Sequence, residues 1–110
     1  MSLAITKAKE LGAILAKSPE YRNFQQAKSQ VEKNPVAKKQ LADLRTKQVT
    51  VQRELVTGKK DQRKINELEI LHRNLMTNAV LKNYLTSEHQ FSKLMFEVHK
   101  ILGDAVGLTQ

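Results

Sequence analysis

Apolar side chains recur along this chain at alternating intervals of three and four, the spacing of a helix with one buried face. The pattern is clearest over residues 35–57, where Ala37, Leu41, Leu44, Gln48, Val51 and Leu55 make a heptad seam with one polar member. It returns over 79–105, where Tyr84, Glu88, Phe91, Met95, Val98 and Leu102 form a seam flanked by Leu81, Leu85, Leu94, Phe96 and Ile101. These positions cover more than half of that helix's circumference, which predicts wide burial, one side of it against something beyond the intramolecular neighbours. A shorter stripe of Ile65, Leu68, His72 and Leu75 marks a helix between them. Leu3 to Lys17 turns Ile5, Ala8, Leu11 and Leu15 inward, and Pro19 to Lys33 carries Tyr21, Phe24, Ala27 and Val31.

Punctuation agrees with periodicity. Ser18-Pro19-Glu20 supplies a capping hydroxyl, a proline at the first helical position and an acid near the positive helix end. Asn34-Pro35 repeats the arrangement, and Asn78-Ala79 gives a third start, so that TNAVLKNYL echoes KNPVAKKQL. Pro35 therefore opens a helix and does not break one. Gly58 ends that helix as a left-handed cap, and after the loop GKKD Asp61 caps the next, so the third and fourth helices form an αα-hairpin. The expectation is an all-α, elongated bundle of about five helices in a single domain, residues 1–110. The third and fifth helices would be roughly 35–40 Å long, against a radius of gyration near 13 Å for a compact domain of this size. Long helices in so short a chain bury their faces poorly alone. Val49, Val56, Ile70, Leu85 and Phe96 are left over by the intrachain seams and are the candidate partner or homodimer surface.

The formal net charge of +8 raises the question of a nucleic-acid partner. Residues 1–57 carry eleven bases and five acids, and 58–110 eight and six, so there is no basic arm. Lys59, Lys60, Arg63 and Lys64 form the one tight cluster and the candidate anionic-partner patch. No aromatic stacking platform accompanies it, which favours solvated helix faces over nucleic-acid association.

Catalytic signatures are missing. Without cysteine the chain offers no disulfide, thiolate metal site or thiol nucleophile. Glu69 and His72 have the Glu-x-x-His spacing of di-iron bundles, but no second copy follows. His89 and His99 lie on different sectors, and neither a phosphate-binding loop nor a nucleophile elbow occurs. No catalytic, cofactor or metal residue is therefore assigned. The N-terminal apolar run is interrupted by lysines, so neither a secretory leader nor a membrane span is expected, and the cytoplasm is the default location. Three polar residues fall on seams: Gln48, His72 and Glu88. His72 is expected as a hydrogen-bonded core histidine. Glu88, on the most apolar helix, requires a basic or amide partner, for which Gln48 is one option.

Taken together, SPEYRNFQQAK, KNPVAKKQLADLRTKQVTVQ and NAVLKNYLTSEHQFSKLMFEVHKIL, in this order, resemble the YlbF/YmcA family of small bacterial helical proteins. On that resemblance Tyr21, Phe24, Pro35, Leu44, Gln48, Tyr84 and Glu88 fall at family-pattern positions. It implies a regulatory role through protein contacts, in competence, sporulation, biofilm formation and ribonuclease Y-dependent RNA processing. Some family members hold iron–sulfur clusters with cysteines, and this cysteine-free chain departs from them. The alternative reading is a basic, nucleic-acid-associating helical protein.

Overall fold

A computed structural model describes residues 2–108, which form five helices and, among the described residues, no strand. Helix α1 spans Leu3–Ala16, α2 Pro19–Glu32, α3 Pro35–Val56, α4 Gln62–Leu75 and α5 Ala79–Ala105. The expected caps form. Ser18 Oγ accepts from the Tyr21 N–H at 3.2 Å, Asn34 Oδ1 from the Ala37 N–H at 3.1 Å, and Asn78 Oδ1 from the Val80 and Leu81 N–H groups at 2.9 and 3.1 Å. Asp61 caps α4 through the Arg63 and Lys64 N–H groups. At the end of α3, Gly58 adopts φ 81°, and the Lys59 N–H reaches back to the Glu54 carbonyl at 2.8 Å. This is the left-handed glycine termination that the sequence anticipates. Gly107, at φ 73°, ends α5 in the same way.

The core lies where four helices meet. Ala27 and Val31 of α2, Ala37 and Leu44 of α3, Leu75 of α4 and Leu81, Tyr84 and Leu85 of α5 are buried together. Phe24, Leu41, Leu68, Leu71, Met76 and Val80 pack half-buried around them. The principal packing is α2 on α5, reinforced by an aromatic cluster. Tyr21 and Phe91 have ring centroids 5.1 Å apart, Phe24 and Tyr84 5.5 Å, and Phe24 and Phe91 5.9 Å. Tilted and offset rings at these separations are favourable beyond the area they bury. Helices α3 and α4 pack as the expected hairpin.

Three expectations need correction. Helix α5 is buried along its first half only, because α2 is 14 residues long and α5 is 27. Ile101 and Leu102 remain exposed beyond the N-terminal end of α2, as does Phe96, which the sequence already left over as a surface candidate. Helix α1 buries none of its residues, and Ile5 is exposed, while Leu11 and Leu15 are half-buried. Leu85, at 8% exposure, belongs to the core and is lost as a surface candidate.

The molecule measures 50 × 38 × 19 Å with a radius of gyration of 17.5 Å, against about 13 Å for a compact chain of this length. It exposes 8430 Å² of surface. A monomeric globular chain of 12.5 kDa exposes about 6,200 Å², an excess here of about 2,200 Å².

Candidate functional site

Three places on this frame hold the residues singled out by sequence. The first is a polar knot where α3 crosses α5. Glu88 accepts hydrogen bonds from the Arg45 guanidinium through both carboxylate oxygens. Arg45 also donates to Gln48 Oε1 at 3.0 Å and stands 6.0 Å from the centre of the Tyr84 ring. The basic partner required by Glu88 is thus Arg45; Gln48 shares the same arginine without being the direct donor. Sequence reasoning missed Arg45 because it sits beside the seam, one position after buried Leu44. The available signal was its spacing, three residues before Gln48 and therefore on the same helix shoulder.

Burial works against the Arg45 charge, but the hydrogen bond and the Coulomb attraction of Glu88 outweigh it, so its pKa rises above the ordinary arginine value. Burial pushes the Tyr84 phenol up, with the Arg45 hydrogen bond acting in the opposite sense. The knot thus holds a fixed charge pair and a neutral phenol. It has no free base or nucleophile poised over a cavity, and its evident action is to fasten α3 to α5. Tyr21, Phe24, Leu44, Gln48, Tyr84 and Glu88, which are scattered over most of the sequence, converge at or beside this junction.

The second place is the outer half of the hairpin. Val49, Val56 and Ile70 are exposed, Val56 to 76%. Val49 and Val56 line a shallow hollow with Gln48, Gln52, Arg53 and Thr57. On the other side of Gln48 a second open hollow of about 570 Å³ is lined by Leu68, Glu69, His72, Arg73 and Met76. His72 is exposed here, which corrects its expected place in the core. Leu71 takes the inward position, because the buried stripe of α4 runs Leu68, Leu71, Leu75 and leaves His72 on its shoulder. Phe96 is exposed to 69%, but on α5 and away from this face. Among the described residues no three His, Asp or Glu side chains come together as a metal site.

The third place is the hairpin tip. Lys64 pairs with Glu54 at 2.5 Å and Arg63 with Glu67 at 3.3 Å, and Asp61 stands between them as a cap. Its hydrogen bond to Glu54 raises the Lys64 pKa. Lys59 and Lys60 make no ion pair among the described residues. Half of the basic cluster is therefore neutralised within the hairpin.

Across residues 4–107 the chain matches the family described as control of the competence regulator ComK, YlbF/YmcA. The chain belongs to the YlbF/YmcA family. A UPF0342 protein of Symbiobacterium thermophilum is 33% identical over 100 residues, spanning 90% of this chain and 89% of that one. Similar proteins occur in Desulfitobacterium hafniense, 32% identical over 100 residues (90% of this chain, 81% of that one), and Caldicellulosiruptor saccharolyticus, 28% over 102 (92% and 85%). The YlbF/YmcA description is one of regulation and names no reaction. No helix of this YlbF/YmcA chain, among the described residues, is long and apolar enough to cross a membrane.

Proposed function

We propose that this YlbF/YmcA chain is a non-catalytic regulatory adaptor of the cytoplasm, a single domain over residues 1–110 that works as a homodimer through protein–protein contacts. The observation that carries the reading is the surplus of exposed surface, about 2,200 Å² beyond a monomer of its mass, much of it around large apolar side chains. Stable interfaces bury about 800 Å² per partner and obligate homodimers up to about 2,500 Å². The hairpin surfaces that carry Val49 and Val56 on α3 and Ile70 on α4 are where a regulated protein would dock. Competence control is the process that the family description supports; sporulation, biofilm formation and ribonuclease Y-dependent RNA processing extend it by resemblance.

Light scattering at micromolar concentration tests the assembly. A mass twice the 12.5 kDa of the chain is expected, and a monodisperse 12.5 kDa particle would overturn the dimer. Unpaired Lys59 and Lys60 support a second reading, direct RNA or DNA association through the hairpin tip. That reading requires retardation of nucleic acid at low salt, lost steeply as salt rises. Complete absence of retardation removes it.

A further inference from the structure

Two helical faces in this molecule are apolar, free of charge and only partly covered by their own chain, which half-buries Leu11 and Leu15 on one and Leu94 and Val98 on the other. On α1, at 100° per residue, Ala4, Ile5, Ala8, Leu11, Gly12 and Leu15 share a sector about 120° wide. Lys7, Lys9 and Glu10 lie outside it, and Lys7 and Glu10 pair with each other at 3.1 Å. Ile5, Ala8 and Gly12 are exposed, and a side chain built at Gly12 would meet nothing within 4 Å. On α5, Leu94, Val98, Ile101, Leu102 and Ala105 share a sector about 100° wide, with Lys93, Glu97, Lys100 and Asp104 on the opposite side. The start of α2 reaches only as far as Leu94 and Glu97, where Glu20 faces them. Beyond it Ile101, Leu102 and Val106 are exposed.

The faces match in length, about 17 Å each. A 14-residue helix is marginal in water without docking, so α1 needs more cover than α2 provides. It makes no extensive packing with its own α5. The connection to α2 is two residues long and locked, since Ser18 Oγ donates to the Leu15 carbonyl at 2.7 Å and accepts from the Tyr21 N–H. Folding α1 back would break that cap and the contact of α1 with α2.

We infer that the occupant of each face is a second copy of this chain: α1 of one protomer packs on the distal half of α5 of its partner, and the reverse. This rests on the homodimer proposed above and says where it is made. A two-fold axis makes the contact twice, which suits a surplus larger than one standard interface consumes. It leaves the hairpin face, with Val49 and Val56, free for a different protein.

The full-length chain tests this by sedimentation of two variants, Ile5→Glu and the double change Ile101→Lys with Leu102→Lys. All three positions are exposed, so helical content should match the wild type. Each variant alone should dimerise about a hundredfold more weakly or worse, from the loss of buried isoleucine-sized side chains. Mixing the two should restore dimer, because one of the two contacts then joins unaltered faces. As a second readout, Gly12→Cys and Ile101→Cys, carried on separate chains, should form a mixed disulfide in this otherwise cysteine-free protein. If both charge variants dimerise as the wild type does, the inference fails and the homodimer stands with its interface elsewhere. Dissociation without rescue on mixing, and without a mixed disulfide, also overturns it. A monomeric wild type removes the homodimer itself.

Discussion

Replacing Arg45 or Glu88 by methionine separates the fastening of α3 to α5 from simple packing. The two side chains are 37% and 30% exposed. Hydrogen bonds to charged groups contribute about 1.5–3 kcal/mol when buried, and exposed ion pairs about 0.2–1 kcal/mol. A pair one-third open to water falls between, at about 1–1.5 kcal/mol of coupling. Arg45→Met leaves the Glu88 carboxylate half-buried without its donor, and Glu88→Met leaves the guanidinium without its acceptor. Each single change should therefore cost about 1–2 kcal/mol, or on the order of 5 °C in Tm for a domain of this size. In the double variant two flexible apolar chains meet where the charges were, so stability should return to within about 1 kcal/mol of the wild type. Arg45 also contacts Gln48 and Tyr84, but those losses are common to the single and double variants and cancel in the cycle. Urea unfolding followed by circular dichroism gives the four free energies, at one fixed protein concentration because dimerisation contributes to stability. Additive losses, with coupling below about 0.3 kcal/mol, would refute the assignment of this pair as the α3–α5 fastener.

Three further changes probe separate parts of the frame. Leu44→Ala, at a fully buried site, should lower the unfolding free energy by about 3 kcal/mol without changing the denaturant slope. Gly58→Ala should cost about 1–2 kcal/mol in thermal unfolding. Its φ of 81° is strained for any β-carbon, while open space around it removes steric clash as a cause. Raising the pH should destabilise the fold in a window above about 10, the unfolded tyrosine value. Tyr84 has a raised folded pKa, so its contribution is complete below the unfolded value and lost as pH rises through the folded one. Phenolate absorbance should show a late-ionising tyrosine that Tyr84→Phe abolishes; unchanged late titration in that variant counts against the buried phenol.

The helices were legible because each start carries its own chemistry: Ser18, Asn34, Asp61 and Asn78 cap as read. The hairpin followed from Gly58, and the aromatic residues of α2 found α5 as their periodicity required. What escaped the sequence is the partner's extent. The apolar stripe of α5 continues well past Leu94, and nothing in it records that α2 starts there, so burial of Ile101 and Leu102 was overestimated. The same blindness put Leu85 on the surface, since its cover comes from helices far away in sequence. His72 failed for a narrower reason: with Leu71 beside it, two adjacent residues competed for one inward position, and the polar one took the shoulder. Arg45 was invisible because a long charged side chain can lean inward from beside a seam, which no count of apolar positions reveals.

The packing of α2 against α5 also governs how the chain is made. Ala27 and Val31 are buried with Leu81, Tyr84 and Leu85, some fifty residues downstream. At a synthesis rate of about 5–20 residues per second, α2 waits several seconds for its cover. Through that interval Phe24, Val31 and Leu44 face the solvent of the growing cell or the hands of a chaperone. Synthesis halted before Asn78 leaves four helices whose core residues Ala27, Val31, Ala37, Leu44 and Leu75 lack Leu81, Tyr84 and Leu85, so the fifth helix completes an interior that the first four only begin.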